Sequence, residues 1–381
     1  MEDIHSPARI RQGVRKTSMT NRVFNFSPGP ATLPLPVLQR AQEELLDFNG
    51  MGASILEVSH RSPEFMALHQ ETLDLARAIL EIPDNYRILV AHGGAHMQFS
   101  AIPMNLIATK PARKAIYTVT GNFAKRAWQE AQKYGDISVL YDTSDTRYNH
   151  LPPITKDMVD PAASYLYIVT NNTVEGTQWH RFPETGDVPL VGDATSDIFS
   201  RPMDLSRFGL LYAAGQKNLG PAGMAMVIVR EDLIGHALPE TPIMADYEVM
   251  AKDNSLTNTL NTFGVYLMNL MLKWTREMGG LREMDAYNRK KCAVLYDLLD
   301  ASGFYTSTVN REHRSLMNVV FDLPSDELTS RFLAEAKAEN MISLKGHKAR
   351  GGIRASIYNA MPMEGVTTLA RFMEEFERKN G

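Results

Sequence analysis

The chain has a single cysteine, Cys292, in 381 residues. A disulfide within the chain is therefore excluded, as is a zinc site built from several thiolates. No uninterrupted apolar run approaches the length that crosses a bilayer. No Gly-x-Gly-x-x-Gly follows an apolar strand, and there is no Walker-type lysine loop, so the common dinucleotide and nucleoside-triphosphate fingerprints are missing. Nor is there a basic surplus: 40 Lys and Arg stand against 44 Asp and Glu, a formal charge of −4. That balance argues against a general nucleic-acid binder. Internal repeats and low-complexity tracts are also absent.

What is present is an ordinary globular composition and enough length for a large core and two domains. Seven short runs, mostly apolar on both faces, read as strands: Tyr86–Ala91, Ala115–Val119, Ile137–Tyr141, Tyr165–Val169, Pro189–Val191, Leu210–Ala213 and Ala225–Val229. Strands of this kind belong to a mostly parallel sheet covered by helices. Helical patterns lie between them. Ser62-Pro63-Glu64 opens one, with Ser as N-cap and Pro in the first turn. Phe65, Leu68, Leu75, Ala76 and Ile79 then share a face. The alternation predicts a doubly wound α/β domain.

Beyond about residue 280 the texture changes. A helix near Met284–Ala301 leads to strands near Met317–Phe321, Met341–Lys345 and Ile353–Tyr358, interleaved with helices near Asp326–Glu339 and Gly365–Lys379. The expected organisation is a large domain over 34–280 and a smaller α+β domain over 281–381. Residues 19–33 are expected to pack with the smaller domain. Residues 1–18 carry Arg9, Arg11, Arg15 and Lys16 with little apolar content, and read as a disordered extension. They lack the apolar centre of a secretory signal, Glu2 and Asp3 weaken a transit-peptide reading, and Met19 is an alternative start.

The chemistry collects after the strands. Gly215-Gln216-Lys217-Asn218-Leu219-Gly220-Pro221 follows the run Gly209–Ala214. A lysine there sits at the edge of a core, where desolvation lowers its pKa and makes the amine a nucleophile. Asp193 closes another strand. A lysine amine and a carboxylate at two strand ends match pyridoxal phosphate chemistry: one condenses with the aldehyde, the other keeps the pyridine nitrogen protonated. Gly93-Gly94 runs from strand into helix, a shape that cradles a phosphate. Thr173 follows another strand and can reach a ring oxygen. Phe123 follows a further one and can stack on a flat heterocycle. Glu57-Val58-Ser59-His60-Arg61 and the basic run from Gly346 to Ser356 suggest a substrate with two anionic ends. Within that run Arg354 lies in an apolar strand, where an unpaired guanidinium is costly.

Read together, Asn25-Phe26-Ser27-Pro28-Gly29-Pro30-Ala31, Glu57-Val58-Ser59-His60-Arg61, Gly215–Gly223, Asn258-Thr259, Lys345-Gly346-His347 and Gly352–Ala360 resemble the phosphoserine aminotransferases. The likeness runs from about Val23 to the C-terminus. It implies a class-V, fold-type I α/β enzyme dependent on pyridoxal phosphate. It implies a seven-stranded mostly parallel sheet and a smaller C-terminal domain. It implies a cytoplasmic homodimer with shared active sites that exchanges an amino group between L-glutamate and 3-phosphohydroxypyruvate. The implied roles follow the motifs. Lys217 forms the Schiff base, Asp193 partners the pyridine nitrogen, and Thr173 lies near the ring oxygen. Ala95, His96 and Gln216 meet the cofactor phosphate, joined by Asn258 and Thr259 of the other subunit. Arg354 takes the α-carboxylate. His60, Arg61, His347 and Lys348 hold the substrate phosphate or the side-chain carboxylate of glutamate.

Three departures stand out against that pattern. Phe123 occupies a position where the family commonly has Trp, Lys348 one where Arg is usual, and the loop Gly93–Gln98 lacks an arginine seen in some relatives. Rival readings differ in what they need. A cysteine desulfurase requires a reactive thiol on a mobile loop, whereas Cys292 sits in a helical pattern. A cofactor-free binding protein has no use for the Lys217 and Asp193 pair. A broader enzyme also takes 4-phosphohydroxythreonine, for vitamin B6 synthesis.

Overall fold

The computed structural model describes residues 22–381. The expectations for residues 1–18 and Met19 lie outside them. The elements run β1 (Phe24–Asn25), α1 (Leu35–Glu44), α2 (Pro63–Leu80), β2 (Tyr86–His92), α3 (Gly94–Leu106), β3 (Lys114–Val119), α4 (Asn122–Ala131) and β4 (Asp136–Asp142). Next come β5 (Ala163–Val169), β6 (Asn171–Asn172), β7 (Thr177–Gln178), β8 (Leu190–Asp193), β9 (Phe208–Ala214) and β10 (Met224–Arg230). Then follow α5 (Tyr247–Lys252), α6 (Thr262–Glu277), α7 (Gly280–Ala301), β11 (Asn318–Phe321), α8 (Asp326–Ala338), β12 (Met341–Ile342), β13 (Ile353–Ser356) and α9 (Met363–Asn380).

All seven expected strands join one sheet in the order β2-β10-β9-β8-β5-β3-β4. Only β10 runs against its neighbours, and every other pairing is parallel. The carboxyl ends of β2, β9, β8, β5 and β3 therefore open on one edge. Both faces are covered. Ile88, Val90, Leu166, Ile168, Leu211 and Ile228 face one apolar layer, with α2 and α6 packed on it. The residues between them, Leu89, Tyr165, Tyr167, Leu210, Tyr212 and Val227, face the other, against α3 and α4. The period of two along each strand explains why the inner strands read as nearly continuous apolar runs, whereas edge strand β4 has no fully buried residue.

Local signals explain several boundaries. The Ser62 hydroxyl accepts from the Phe65 amide at 3.2 Å and caps α2, as its Ser-Pro-Glu start predicts. Asn261 does the same for α6 through the Gly264 amide at 2.8 Å. The expected strand at Met341–Lys345 is only two residues long, because Ser343 turns to φ 66° and ends it. That short strand pairs with β1 through Phe24 and Met341. Phe26 is buried in a third apolar cluster built from α7, α8, α9, β11 and β13. Among the described residues no helix is long and apolar enough to cross a membrane.

The third cluster hides an unexpected cation. Lys291 of α7 is fully buried. Its Nζ donates to the carbonyls of Ile357 at 2.9 Å, Tyr358 at 2.6 Å and Met361 at 3.2 Å, and lies 3.5 Å from that of Asn359. It also sits 4.8 Å from the Tyr287 ring centroid. These contacts fold the segment after β13 around one amine, so the strand carrying Arg354 is anchored to α7. Burial holds the Lys291 pKa well below its ordinary value. Lys291→Met keeps the bulk but removes every donor. It should lower stability in urea unfolding by about 2–4 kcal/mol, the scale for stranding several buried acceptors.

Candidate active site

A cavity of about 250 Å³ opens at the carboxyl edge of the sheet. Each strand end contributes. After β2 the chain turns at Gly93, whose φ of 87° suits glycine, and a Cβ there would lie 2.6 Å from that of Met97. Helix α3 then starts, and its first-turn amides at Ala95 and His96 face the cavity with no helical partner. After β3 comes α4, with Phe123 in its first turn. After β5 a tight hairpin of β6 and β7 carries Thr173 and Glu175. Asp193 ends β8, and Lys217 follows β9. The lysine turn is tight: a Cβ on Gly215 would lie 2.1 Å from the Pro221 carbonyl oxygen, so only glycine fits.

Lys217 is buried, and its Nζ donates to the Thr173 hydroxyl at 2.5 Å. Burial is the main reason its pKa falls to about 7. Asp193 and Asp197 oppose the fall and Arg354 adds to it. The amine is thus poised between its charged and neutral forms near neutral pH. Asp193 is also buried, and both its oxygens are held. The Thr195 amide donates to Oδ1 at 2.9 Å and the Tyr212 hydroxyl to Oδ2 at 2.8 Å. Burial raises the pKa of Asp193, while the donors at Thr195 and Tyr212 and the Lys217 charge lower it. The Tyr212 hydroxyl lies 2.8 Å from that of Tyr167, and Tyr117 stacks on Tyr167 at 4.6 Å. The Tyr117 hydroxyl meets that of Tyr165 at 2.9 Å. A string of buried tyrosines thus backs Asp193.

Of the expected residues, Ala95, His96, Phe123, Thr173, Asp193, Gln216, Lys217, His347 and Arg354 line this one cavity. Arg354 of β13 is buried and its Nε has no partner among the described residues, which leaves it donor capacity in the cavity wall. Lys348 is exposed and does not line the cavity. The neighbouring Arg350 pairs with both oxygens of Asp322 at 3.0 and 3.1 Å. His60, Arg61, Asn258 and Thr259 lie outside the cavity wall. His60 and Arg61 contact each other at 3.3 Å and are partly or fully exposed.

Residues that the sequence reading missed complete the site. Glu175 is buried, and its Oε1 accepts from the Asn122 amide at 2.8 Å, capping the helix that carries Phe123. Its Oε2 has no partner among the described residues. Burial pushes the Glu175 carboxyl up to about 7, against the Asn122 amide and the charges of Arg354 and Arg350. Tyr358 places its ring 5.9 Å from the Lys217 Nζ and donates its hydroxyl to the Pro28 carbonyl at 2.9 Å. Tyr212 stood in the expected strand. Its pairing opposite Asp193 depends on a strand register that the sequence does not show.

The family model for class-V aminotransferases matches residues 23–369. Phosphoserine aminotransferase of Bacillus cereus is 47% identical over 359 residues, covering 94% of this chain and 99% of the relative. That of Desulfosudis oleivorans is 48% identical over 366 residues, covering 95% and 100%. Among solved structures, phosphoserine aminotransferase from Bacillus circulans subsp. alkalophilus superposes with a TM-score of 0.91 at 45% identity, covering 94% of this chain and 99% of that one. The pyridoxal phosphate-bound enzyme of Trichomonas vaginalis gives 0.88 at 34% identity, with 93% and 100% covered.

A pH profile checks the amine. Trapping of a small aldehyde on Lys217 by borohydride should rise through about pH 7 and level off by about pH 8–9. Surface lysines, titrating near their ordinary value of about 10.4, should still be rising there. A Lys217 profile that follows the surface lysines contradicts the burial argument. Peptide mapping of the reduced adduct separates the two.

Proposed function

The chain belongs to the class-V aminotransferases, among the phosphoserine aminotransferases, and from that premise we propose that it moves an amino group reversibly between L-glutamate and 3-phosphohydroxypyruvate. The products are 2-oxoglutarate and O-phosphoserine, a step of serine biosynthesis, and the cofactor is pyridoxal phosphate. A cytoplasmic setting is part of the same proposal. One observation carries the reading: a buried amine and a buried carboxylate, Lys217 and Asp193, share one cavity with a helix N-terminus.

The cavity suits the cofactor. Its donor set holds an amine for the aldehyde, a carboxylate for the ring nitrogen and free amides for the phosphate. Ala95, His96 and Gln216 would hold the phosphate, Phe123 would stack on the ring, and Thr173 would sit by its phenolic oxygen. When bound, the cofactor supplies a conjugated ring that stores the electron pair left when an amino acid loses its α-proton.

The chain's own groups supply the rest. Lys217, neutral in part near pH 7, acts as nucleophile and then as the base that moves the α-proton. Thr173 accepts a hydrogen bond from that amine and orients it. Asp193 would meet the ring nitrogen, and Thr195 and Tyr212 fix its two oxygens. Arg354 holds the α-carboxylate of either amino acid. Anchored on β13 and faced by Tyr358, it fixes the angle at which the α-proton meets Lys217. The apolar walls at Phe99, Val169 and Val174 exclude water and strengthen each of these contacts.

A second copy of the chain completes the site in this reading. Leu46 is 84% exposed and Leu56 62%, both shortly before His60 and Arg61 in sequence. Apolar side chains open to that degree suit burial against another copy. That copy would bring Asn258 and Thr259 to the cofactor phosphate, and His60 and Arg61 to the substrate's distal anion beside His347. The same anion chemistry extends to 4-phosphohydroxythreonine.

Two results test the proposal. Glutamate-dependent amination should be far faster with 3-phosphohydroxypyruvate than with hydroxypyruvate. Arg354→Ala should weaken glutamate and phosphoserine together, by about 2–4 kcal/mol in kcat/KM. Loss confined to one of the two would move the α-carboxylate contact elsewhere. For the shared site, His60→Ala/Arg61→Ala and Lys217→Ala chains should each be nearly inactive alone. Co-expressed, they should regain about a quarter of wild-type activity per total site, since half the dimers are mixed and each mixed dimer has one intact site. Mixed dimers without activity would place both groups in one chain's site.

A further inference from the structure

Arg126 lies one helical turn after Phe123 on α4, exposed beside the cavity and not in its wall, and three features bring it to the mouth. Its Nη1 is 3.5 Å from Nε2 of the cavity residue His96. Its guanidinium carbon lies 5.7 Å from the ring centroid of Phe123. Its charge is felt at His347 on a third segment. Burial chiefly holds the His347 pKa below its ordinary value, and Arg354, Arg126 and Lys348 add to the effect.

Among the described residues no carboxylate neutralises this guanidinium. Among the described residues no ion pair involves Arg126. Glu130, at the helical i+4 position where a partner is expected, is engaged instead by Lys133 at 2.6 Å and by the Ser100 hydroxyl at 2.8 Å. Its five N–H donors are therefore open to an anion arriving at the cavity mouth. The helix start makes the placement firm: Glu175 caps the Asn122 amide, and Phe123 and Arg126 follow on the same rigid turn.

We propose that Arg126 is a substrate-selecting residue, whose guanidinium contacts the distal phosphate of the keto acid at the cavity mouth beside His96 and His347. The proposal rests on the amino-transfer reading above and refines it: the chain brings its own forked cation to the anion, in addition to any group from a second copy. A dianionic phosphate gains more from it than the single side-chain carboxylate of glutamate. Arg126 therefore sets the preference between phosphorylated and unphosphorylated keto acids, not the rate of proton transfer.

The test compares wild-type holoenzyme with Arg126→Ala and Arg126→Lys on 3-phosphohydroxypyruvate, hydroxypyruvate and glutamate. Arg126→Ala should raise KM for the phosphorylated acid roughly tenfold to a hundredfold, with kcat within about twofold. KM for glutamate should rise less. The preference for the phosphorylated acid should fall by the same factor as the rise in its KM, and Arg126→Lys should recover much of it. In an NMR titration of the holoenzyme, Arg126→Ala should move the His347 pKa upward, because a repelling charge is gone. An unchanged phosphate preference in a folded, cofactor-loaded Arg126→Ala overturns this assignment and leaves amino transfer intact. So does a kcat loss without a KM change, or an unmoved His347. A wild-type enzyme indifferent to the phosphate sinks the parent reading itself.

Discussion

Taking the Lys217 amine out of water penalises its ammonium form, and the surrounding structure decides how that penalty is used. Asp193 and Asp197 pull the proton back on, while Arg354 pushes it off. The outcome is an amine balanced near neutrality, and the balance depends on the parallel sheet. Only at the carboxyl edge, where loops from several strands converge, can a lysine be dry and still have a carboxylate, a hydroxyl and a guanidinium within reach. Glycine at position 215 is what lets the chain turn closely enough to bring it there.

The site's charges are arranged by depth. Asp193 and Lys217 lie buried on the large sheet, and Arg354 arrives from the C-terminal cluster. Further out stand His96, Arg126 and His347, more open to water. Buried groups handle the proton and the ring. Outer ones meet the substrate's far end, where screening by water is stronger and discrimination rests on charge count and fork geometry. Lys291 supports the inner set from behind by fixing the segment after β13.

Much of this was legible in the sequence, and the exceptions have physical causes. The inner sheet strands were legible because both faces are buried, so they read as nearly unbroken apolar runs, while edge strand β4 was legible from its β-branched and aromatic residues although none of it is fully buried. Lys217, Asp193, Thr173 and Phe123 were legible as strand-end residues. By contrast, α6 carries Phe263, Val265 and Tyr266 near its start and buries most of its circumference, which blurs a helical stripe. Helix α1 begins at Leu35-Pro36 with neither a side-chain cap nor an early acid. Lys291 follows Arg289 and Lys290 and reads as solvated surface. Its acceptors lie 66 to 70 residues further along the chain. Glu175 and Tyr212 owe their roles to register and loop closure, which no local pattern encodes.

The tyrosine string behind Asp193 carries a consequence for how the sheet forms. Tyr117, Tyr165, Tyr167 and Tyr212 all point into one apolar layer, and their hydroxyls find partners there only in the native alignment of β3, β5, β8 and β9. Sliding one strand by a single residue would turn its phenol toward the opposite layer and leave a hydroxyl without a mate. The same polar contacts that steady the carboxylate therefore act as a proofreading device during folding, penalising misaligned sheets that hydrophobic pattern alone would accept.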